Sequence, residues 1–494
     1  MSNTVQIVYA ILLSYLLVLN LGTIGFVLMA VGENRVRQRQ AQYTDLDRLI
    51  GSEATIAVTV IVPAYNEDAV IRDTVLSVLG SQHPQFELIV VNDGSTDNTM
   101  QVLLDSFQLE LRDVFYPQPI KTAHVRNVYR SRLHQNMWVV DKDNGGEADA
   151  CNAGVNIAYH PYILHTDADC VFEPDTLVRV VRAINFDPRR IIGIGGQLRP
   201  SNGLQIHDGK ITGSRLPRSL VARFQVVEYM SAFMTHRLAW SRLNAVTVVA
   251  GGFGVWRRDV VVQLGGYATD LTHEDIELTI NAHRQFRRGR VPYRIVIVPD
   301  ATIWTQVPST WDGIRTQRKR WQRVVVEVLW KYRSMLFNPR YGLVGMLTMP
   351  YLLLYECLGP FVEAFAYLFI VALAILGILN VKFLLLFLAF SIGLSAAIRL
   401  AALLIDVLFF DTYDRRSVAH LGLLALVEPL IYRPLLLGPR IYAFWEFFTG
   451  HKAHEKLARE PSSTPVSREG STSACSPAAR PSSTTRSQAT NPRA

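Results

Sequence analysis

The sequence predicts an α/β fold: a Rossmann-like domain inserted between apolar, membrane-spanning helices. Three observations lead there. Short β-branched runs alternate with helical stretches between residues 56 and 300, polar turns follow the ends of those runs, and long apolar segments lie on both sides. "IAVTVIV" (56–62), "FELIVV" (86–91), "MWVV" (137–140), "YILHT" (162–166) and "IIGIG" (191–195) read as strands. Helices are expected between them at about 67–80, 96–107, 146–158 and 173–184. This order predicts a parallel sheet covered on both faces and joined by right-handed crossovers. Ligands of such sheets bind beyond the carboxyl ends of the strands, so the residues just after each strand carry the functional reading.

The 494 residues are 49% hydrophobic and only 19% charged, a leaner charge load than an ordinary soluble chain carries. The apolar residues gather toward the two ends. Val5 to Val31 is apolar apart from Gln6, Asn20 and a few hydroxyls. That exceeds the ~7–15 residues of a cleavable signal core, so a retained span at 5–31 is predicted. "RVRQRQ" (35–40) follows it, and basic flanks stay cytoplasmic, which places the next domain, 50–300, in the cytosol. Interfacial helices are expected at 301–342, and about three further spans with surface segments at 343–450. The segment 451–494, rich in Ser, Thr, Pro and Arg from Pro461 onward, is expected to be disordered. Much of the net charge of +8 lies beside apolar segments and in the tail, where it meets anionic lipid rather than nucleic acid. Cys151, Cys170, Cys357 and Cys475 form no CxxC and suggest neither a zinc site nor a disulfide framework.

The first two strands end in "PAYNED" (63–68) and "NDGSTDNT" (92–99). Asp93 before Gly-Ser, with Thr96 as a helix N-cap, reads as a polar turn, and two such turns side by side predict a shared pocket. "DNGGEADACNAG" (143–154) places two glycines ahead of a helix whose N-terminus suits a phosphate. Glu147 in its first turn favours the helix; it would compete with a diphosphate if it pointed inward, or else lie on a solvated side, since Ala148, Cys151 and Val155 form the buried stripe, and Lys142 just upstream offers a compensating cation. In "HTDADC" (165–170), Asp167 and Asp169 point the same way on an extended chain. Paired carboxylates suit Mg²⁺ or Mn²⁺; a solvated acidic turn is the other reading. "THEDIELT" (272–279) reads as a capping box from Thr272 to Asp275, or as a general base at Asp275 beside Glu274. "TQRKRWQR" (316–323) reads as a lipid-headgroup anchor, or as a phosphate cation at Arg320 with a sugar-stacking ring at Trp321.

In combination and order, "VIVPAYNE", "DGSTD", "DAD", "GGFGVWRRD", "HED" and "QRKRW" resemble the processive, membrane-embedded family-2 glycosyltransferases. That group includes the hyaluronan, cellulose, chitin-oligosaccharide and poly-N-acetylglucosamine synthases, and the resemblance spans roughly residues 40–450. It implies a GT-A-like domain in which Ala64, Tyr65, Glu67, Asp93, Asp167, Gln317 and Arg320 hold the donor. Lys142 joins them as the compensating cation. Asp169, with Asp167, would hold Mg²⁺ or Mn²⁺. Asp275 would be the base, with Glu274 beside it. Trp321, Gly252 and Phe253 would meet the acceptor. Two positions depart from the family pattern: His273 replaces a usual Thr, and Glu147 stands where relatives commonly carry a lysine near the donor phosphates.

The resemblance implies an inverting, processive β-glycosyltransferase that uses a UDP-sugar, with UDP-GlcNAc the best match to one N-terminal and about three C-terminal spans. The expected partners are a UDP-sugar, a growing polysaccharide, the lipid bilayer and accessory subunits of a synthase complex. The expected location is the cell (inner or plasma) membrane, multi-pass, with the catalytic domain cytosolic. Two rival readings are a transferase adding one sugar to a lipid carrier and a weakly catalytic scaffold subunit.

Overall fold

The computed structural model describes residues 3–42, 46–52, 55–410 and 412–450; the tail expected at 451–494 lies outside the described residues. In chain order the strands are β1 (Val58–Ala64), β2 (Phe86–Asp93), β3 (Leu109–Arg112), β4 (Val125–Ser131), β5 (Met137–Lys142) and β6 (Tyr162–His165). They continue with β7 (Val171–Phe172), β8 (Ile191–Pro200), β9 (Leu204–His207), β10 (Lys210–Ser214), β11 (Gly254–Arg257) and β12 (Arg294–Thr305). Ten of them form one sheet in the order β3-β4-β5-β2-β1-β6-β11-β8-β12-β7, while β9 and β10 make a separate hairpin.

Strand β1 is buried at all seven positions. Val58, Val60, Val62 and Ala64 join one hydrophobic cluster and Ile61 joins the other. A strand covered on both faces has no solvent side, which is why its sequence is a continuous apolar run. Each buried Val or Ile contributes ~1.5–3 kcal/mol by leaving water. On the Ile61 side, the helix Glu147–Ile157 packs through Ala150, Cys151 and Val155; on the other, Ile71–Leu79 packs through Ile71, Val75 and Val78.

Strands β5, β2, β1 and β6 are parallel, as the alternation predicts. The wholly parallel sheet is corrected elsewhere: β11 runs antiparallel to both β6 and β8, and β3, β4 and β7 also pair antiparallel. With four and two residues, β11 and β7 are too short to show a period. In β12, Pro299 and a register shift between Ile297 and Thr302 split the apolar run, which hides a strand parallel to β8.

Among the described residues, three helices are long and apolar enough to cross a membrane: Asn3–Gln40, Val344–Ile375 and Val381–Phe409. Arg415–Val427 and Tyr432–Thr449, bent by 61° at the break, make a fourth if they act as one span. Glu428, Pro429 and Pro434 interrupt the sequence at that bend. The N-terminal helix serves two environments. Tyr9 stacks on Phe383 at 3.7 Å within the apolar bundle, whereas Phe26 packs against Trp240 of the α/β domain at 4.8 Å. A buried ion pair, Arg199 of β8 with Asp406 (2.6 Å), ties the sheet to the helix Leu394–Phe409.

Candidate functional site

The turns after β1 and β2 are bonded to each other. Asn66, at φ 58°, donates its N–H to Ser95 Oγ (3.0 Å) and accepts the Thr96 N–H (2.8 Å). Glu67 N–H donates to Thr99 Oγ1 (2.8 Å) and Asp68 N–H to Asp97 (3.2 Å). The two turns therefore form one wall, and Ala64, Tyr65, Glu67 and Asp93 lie along the cavity it faces. Thr96 does not cap the helix: the helix begins at Thr99, whose N–H and hydroxyl both donate to Asp97 Oδ1 (2.9 and 2.6 Å).

Asp93 organises a third turn. Its two carboxylate oxygens accept the N–H groups of Gly145 (3.0 Å) and Gly146 (2.8 Å). Gly146 sits at φ 90°, a conformation that L side chains rarely adopt, and a Cβ on Gly145 would meet Asp149 at 2.4 Å. Both glycines are thus required for the chain to turn into the helix Glu147–Ile157. Lys142 does not reach the cavity, contrary to its expected role as a donor cation. It is fully buried, with Nζ 2.5 Å from Asp93 and 2.6 Å from Asp149, and it donates to the Asp143 carbonyl (2.7 Å). Glu147 does line the cavity, with its side chain about half exposed.

Asp167 and Asp169 lie on a turn after β6 rather than on an extended strand. The turn still brings their carboxylates within 4.8 Å of each other and of Cys170 Sγ, among the described residues. Asp169 Oδ1 accepts from Thr305 Oγ1 (3.1 Å) at the end of β12. Gly252 borders the pair, and a Cβ there would stand 3.1 Å from Asp167 Oδ2. Hard oxygen donors converging on a half-buried spot fit Mg²⁺ or Mn²⁺, which take several waters and substrate oxygens besides one or two carboxylates.

Glu274 and Asp275 open the helix Glu274–Gly289. Asp275 accepts the Gly251 N–H (3.1 Å) and faces the cavity. The capping box is not formed: Thr272 instead gives its N–H and hydroxyl to Glu327 (both 2.9 Å), and His273 is the capping residue without a side-chain bond. Burial pushes Glu274 well above the usual carboxylate range, and the charges of Glu147, Asp275 and Asp167 push the same way. Burial lowers His165, although Glu147 and Asp275 oppose the shift. Arg237 also lines the cavity; burial lowers it to about 10, so it stays cationic at neutral pH. No motif announces it, because it sits in the apolar stretch "SAFMTHRLAW".

The far end of the Glu274 helix is anchored by one buried histidine. His283 Nδ1 lies 2.6 Å from the Tyr293 hydroxyl and Nε2 3.0 Å from the Val246 carbonyl. Burial, aided by the nearby Arg287 charge, pushes His283 down to about 3 against the bond to Val246. Its folded pKa lies below its unfolded value near 6.5, so its contribution is complete above that pH and is lost on acidification toward 3. Thermal unfolding is therefore expected to show a loss of about 2–3 kcal/mol between pH 7 and 4.5 that His283→Gln removes. An unchanged pH slope in that variant contradicts the assignment.

The helix Trp311–Lys331 supplies the opposite wall. Gln317, Arg320 and Trp321 line the cavity, and Arg318 lies over the Trp321 ring at 4.2 Å while bonding Glu228 (2.6 Å). Trp321 thus has one face held by a cation. Phe253 is not among the cavity-lining residues: it is wholly buried in the core behind Gly252. The cavity itself measures about 1990 Å³ and runs from the strand ends to Tyr15, Asn20, Glu363, Ser391 and Arg399 of the apolar helices.

Residues 59–264 match the family model described as Glycosyl transferase family 2, and residues 162–405 match Glycosyl transferase family group 2. A poly-β-1,6-N-acetyl-D-glucosamine synthase of Staphylococcus aureus is 28% identical over 276 residues, 55% of this chain and 55% of that protein. The synthase of the same name from Staphylococcus epidermidis is 26% identical over 275 residues, with the same coverage of 55% on each side. The match thus spans about half the length of these relatives. Among solved structures, the mannosyltransferase PcManGT of Pyrobaculum calidifontis, in complex with GDP-Man and Mn²⁺, aligns with a TM-score of 0.49 at 17% identity. That alignment covers 86% of this chain and 100% of the other.

Proposed function

This chain belongs to the family-2 glycosyltransferases, and on that premise we propose that it is an inverting, processive β-glycosyltransferase that elongates a polysaccharide from a UDP-sugar. One observation carries the processive reading: the cavity is continuous from the strand-end cleft into the apolar helices. Its inner part is lined by charged residues in pairs: Glu363 with Arg433, Arg399 with Glu428 (2.8 Å) and Arg440 with Glu356 (3.2 Å). Such residues are costly against lipid and suit a wet path for a sugar chain. The Staphylococcus relatives are named for a polymer of N-acetylglucosamine, which supports UDP-GlcNAc as the donor. The same features support a multi-pass protein of the cell membrane with its α/β domain in the cytosol.

The chemistry follows from the groups around the cleft. Ala64, Tyr65, Glu67 and Asp93 form the wall for the uridine end of the donor, and Asp275 takes the proton of the attacking acceptor hydroxyl. Attack opposite the leaving diphosphate inverts an α-linked donor to a β-linkage. Arg320, one turn from Gln317, offers the cation for the departing diphosphate, and Trp321 the ring beneath the acceptor sugar. Asp167 and Asp169 would hold Mg²⁺ or Mn²⁺, which supplies charge neutralisation at the diphosphate when bound.

The test is a UDP-release screen of the purified protein with Mg²⁺ and UDP-GlcNAc, UDP-Glc or UDP-GlcA, followed by digestion of the product with linkage-specific hydrolases. A long product from UDP-GlcNAc is expected. Glycolipids bearing a single sugar would overturn processivity, and no UDP release from any donor would overturn the transferase reading. Glu147 places an acid in the donor cleft, so Glu147→Lys is expected to tighten UDP binding about tenfold, or about 1.4 kcal/mol. Calorimetry showing no change would put Glu147 outside the donor site.

A further inference from the structure

Glu147, His165 and Asp167 offer ligand atoms that all lie within 4.8 Å of one another. Glu147, His273 and Glu274 do the same, so Glu147 is common to both groups. The imidazoles set this corner apart from a simple acidic patch. His165 is only 2% exposed, and its Nε2 has no hydrogen-bond partner. That nitrogen stands 3.9 Å from Glu147 Oε1. The Tyr267 ring, edge-on to the imidazole at 5.5 Å, limits its rotation. His273 Nε2 is likewise buried without a partner. Two orphaned ring nitrogens beside carboxylates make an expensive arrangement unless something accepts their lone pairs.

We propose that Glu147, His165 and Asp167 bind a transition-metal dication of the Zn²⁺ class, at a site that shares Asp167 with the Asp167–Asp169 pair but does not use Asp169. The donor set decides the class. Imidazole nitrogen with carboxylate oxygen suits Zn²⁺ and Co²⁺, whereas Mg²⁺ takes oxygen and water. A bond length of about 2.0 Å in tetrahedral geometry requires ligand atoms about 3.3 Å apart. The half-exposed Glu147 side chain can swing to close that gap, while His165 stays fixed by burial. Charge points the same way. Glu147, Asp167 and Asp275 line one part of the cavity, and a dication among them offsets a field that would repel a diphosphate. His273 offers a ligand atom within 4.8 Å of the same Glu147, as a candidate to complete the shell. The site depends on none of the assumptions about which sugar is transferred.

The experiment titrates Co²⁺ into the full-length protein in detergent, purified without a polyhistidine tag, and reads the visible ligand-field bands. One equivalent is expected to bind, to be displaced by Zn²⁺ and to resist excess Mg²⁺. Affinity is expected to fall at least about tenfold in Glu147→Gln and His165→Gln and to stay unchanged in Asp169→Asn. Glu147→Gln alters a half-exposed side chain, so it carries the test alone if the buried His165→Gln does not fold. Absence of ligand-field bands overturns the proposal. So does Co²⁺ binding that is the same in Glu147→Gln, or that disappears in Asp169→Asn.

Discussion

Asp275→Asn is expected to lower turnover by about 10²–10⁴-fold while leaving donor affinity within about twofold. Asparagine keeps the shape of the side chain and its one amide oxygen can still accept the Gly251 N–H, while the Ile276 N–H, which the other aspartate oxygen accepts at 2.7 Å, loses that acceptor. What it loses is the capacity to take a proton from the acceptor hydroxyl. The loss corresponds to about 3–5 kcal/mol of barrier, all of it in the chemical step. UDP-release kinetics, UDP binding by calorimetry and a melting curve separate the outcomes. A variant that binds UDP poorly or melts several degrees lower, at unchanged turnover of the folded fraction, would remove Asp275 from the role of base.

Lys142→Met is expected to destabilise the protein by about 3–5 kcal/mol. Methionine fills much of the same volume but leaves Asp93 and Asp149, both buried, facing each other without the cation between them. Asp93 also holds the Gly145 and Gly146 amides, and Asp149 accepts the Ala123 N–H at 3.0 Å. Removal of the lysine therefore loosens three segments together. The check is chemical denaturation alongside UDP binding. A variant as stable as the parent that loses only UDP affinity would return Lys142 to the donor phosphates.

These two residues also mark how far reading the chain in one dimension reaches. Asp275 is legible because the HED triplet stands in order with the other motifs, and the order itself carries the inference. Lys142 is not legible. Its neighbours in sequence, Asp141 and Asp143, give no sign of burial, but Lys142 ends β5 in register with the end of β2, so that Asp93, 49 residues earlier, closes over the ammonium. The same limit applies to Phe253, which the family resemblance sets at the acceptor and which the packing buries wholly in the core. Thr272 is a third case, since its hydroxyl meets Glu327 on another helix instead of capping its own.

The sequence by itself determined the α/β class, the parallel centre of the sheet, the helices long and apolar enough to cross a membrane, and the family. Each is written in local periodicity, in composition or in the order of short motifs. Only the tertiary structure decided the antiparallel strands β7 and β11, the burial of Lys142, the burial of Phe253 and the presence of Arg237 in the cleft. The physical reason is common to all four. Strand pairing, desolvation and cavity shape depend on which distant segments exclude water from a residue, and no window of neighbouring residues contains that information.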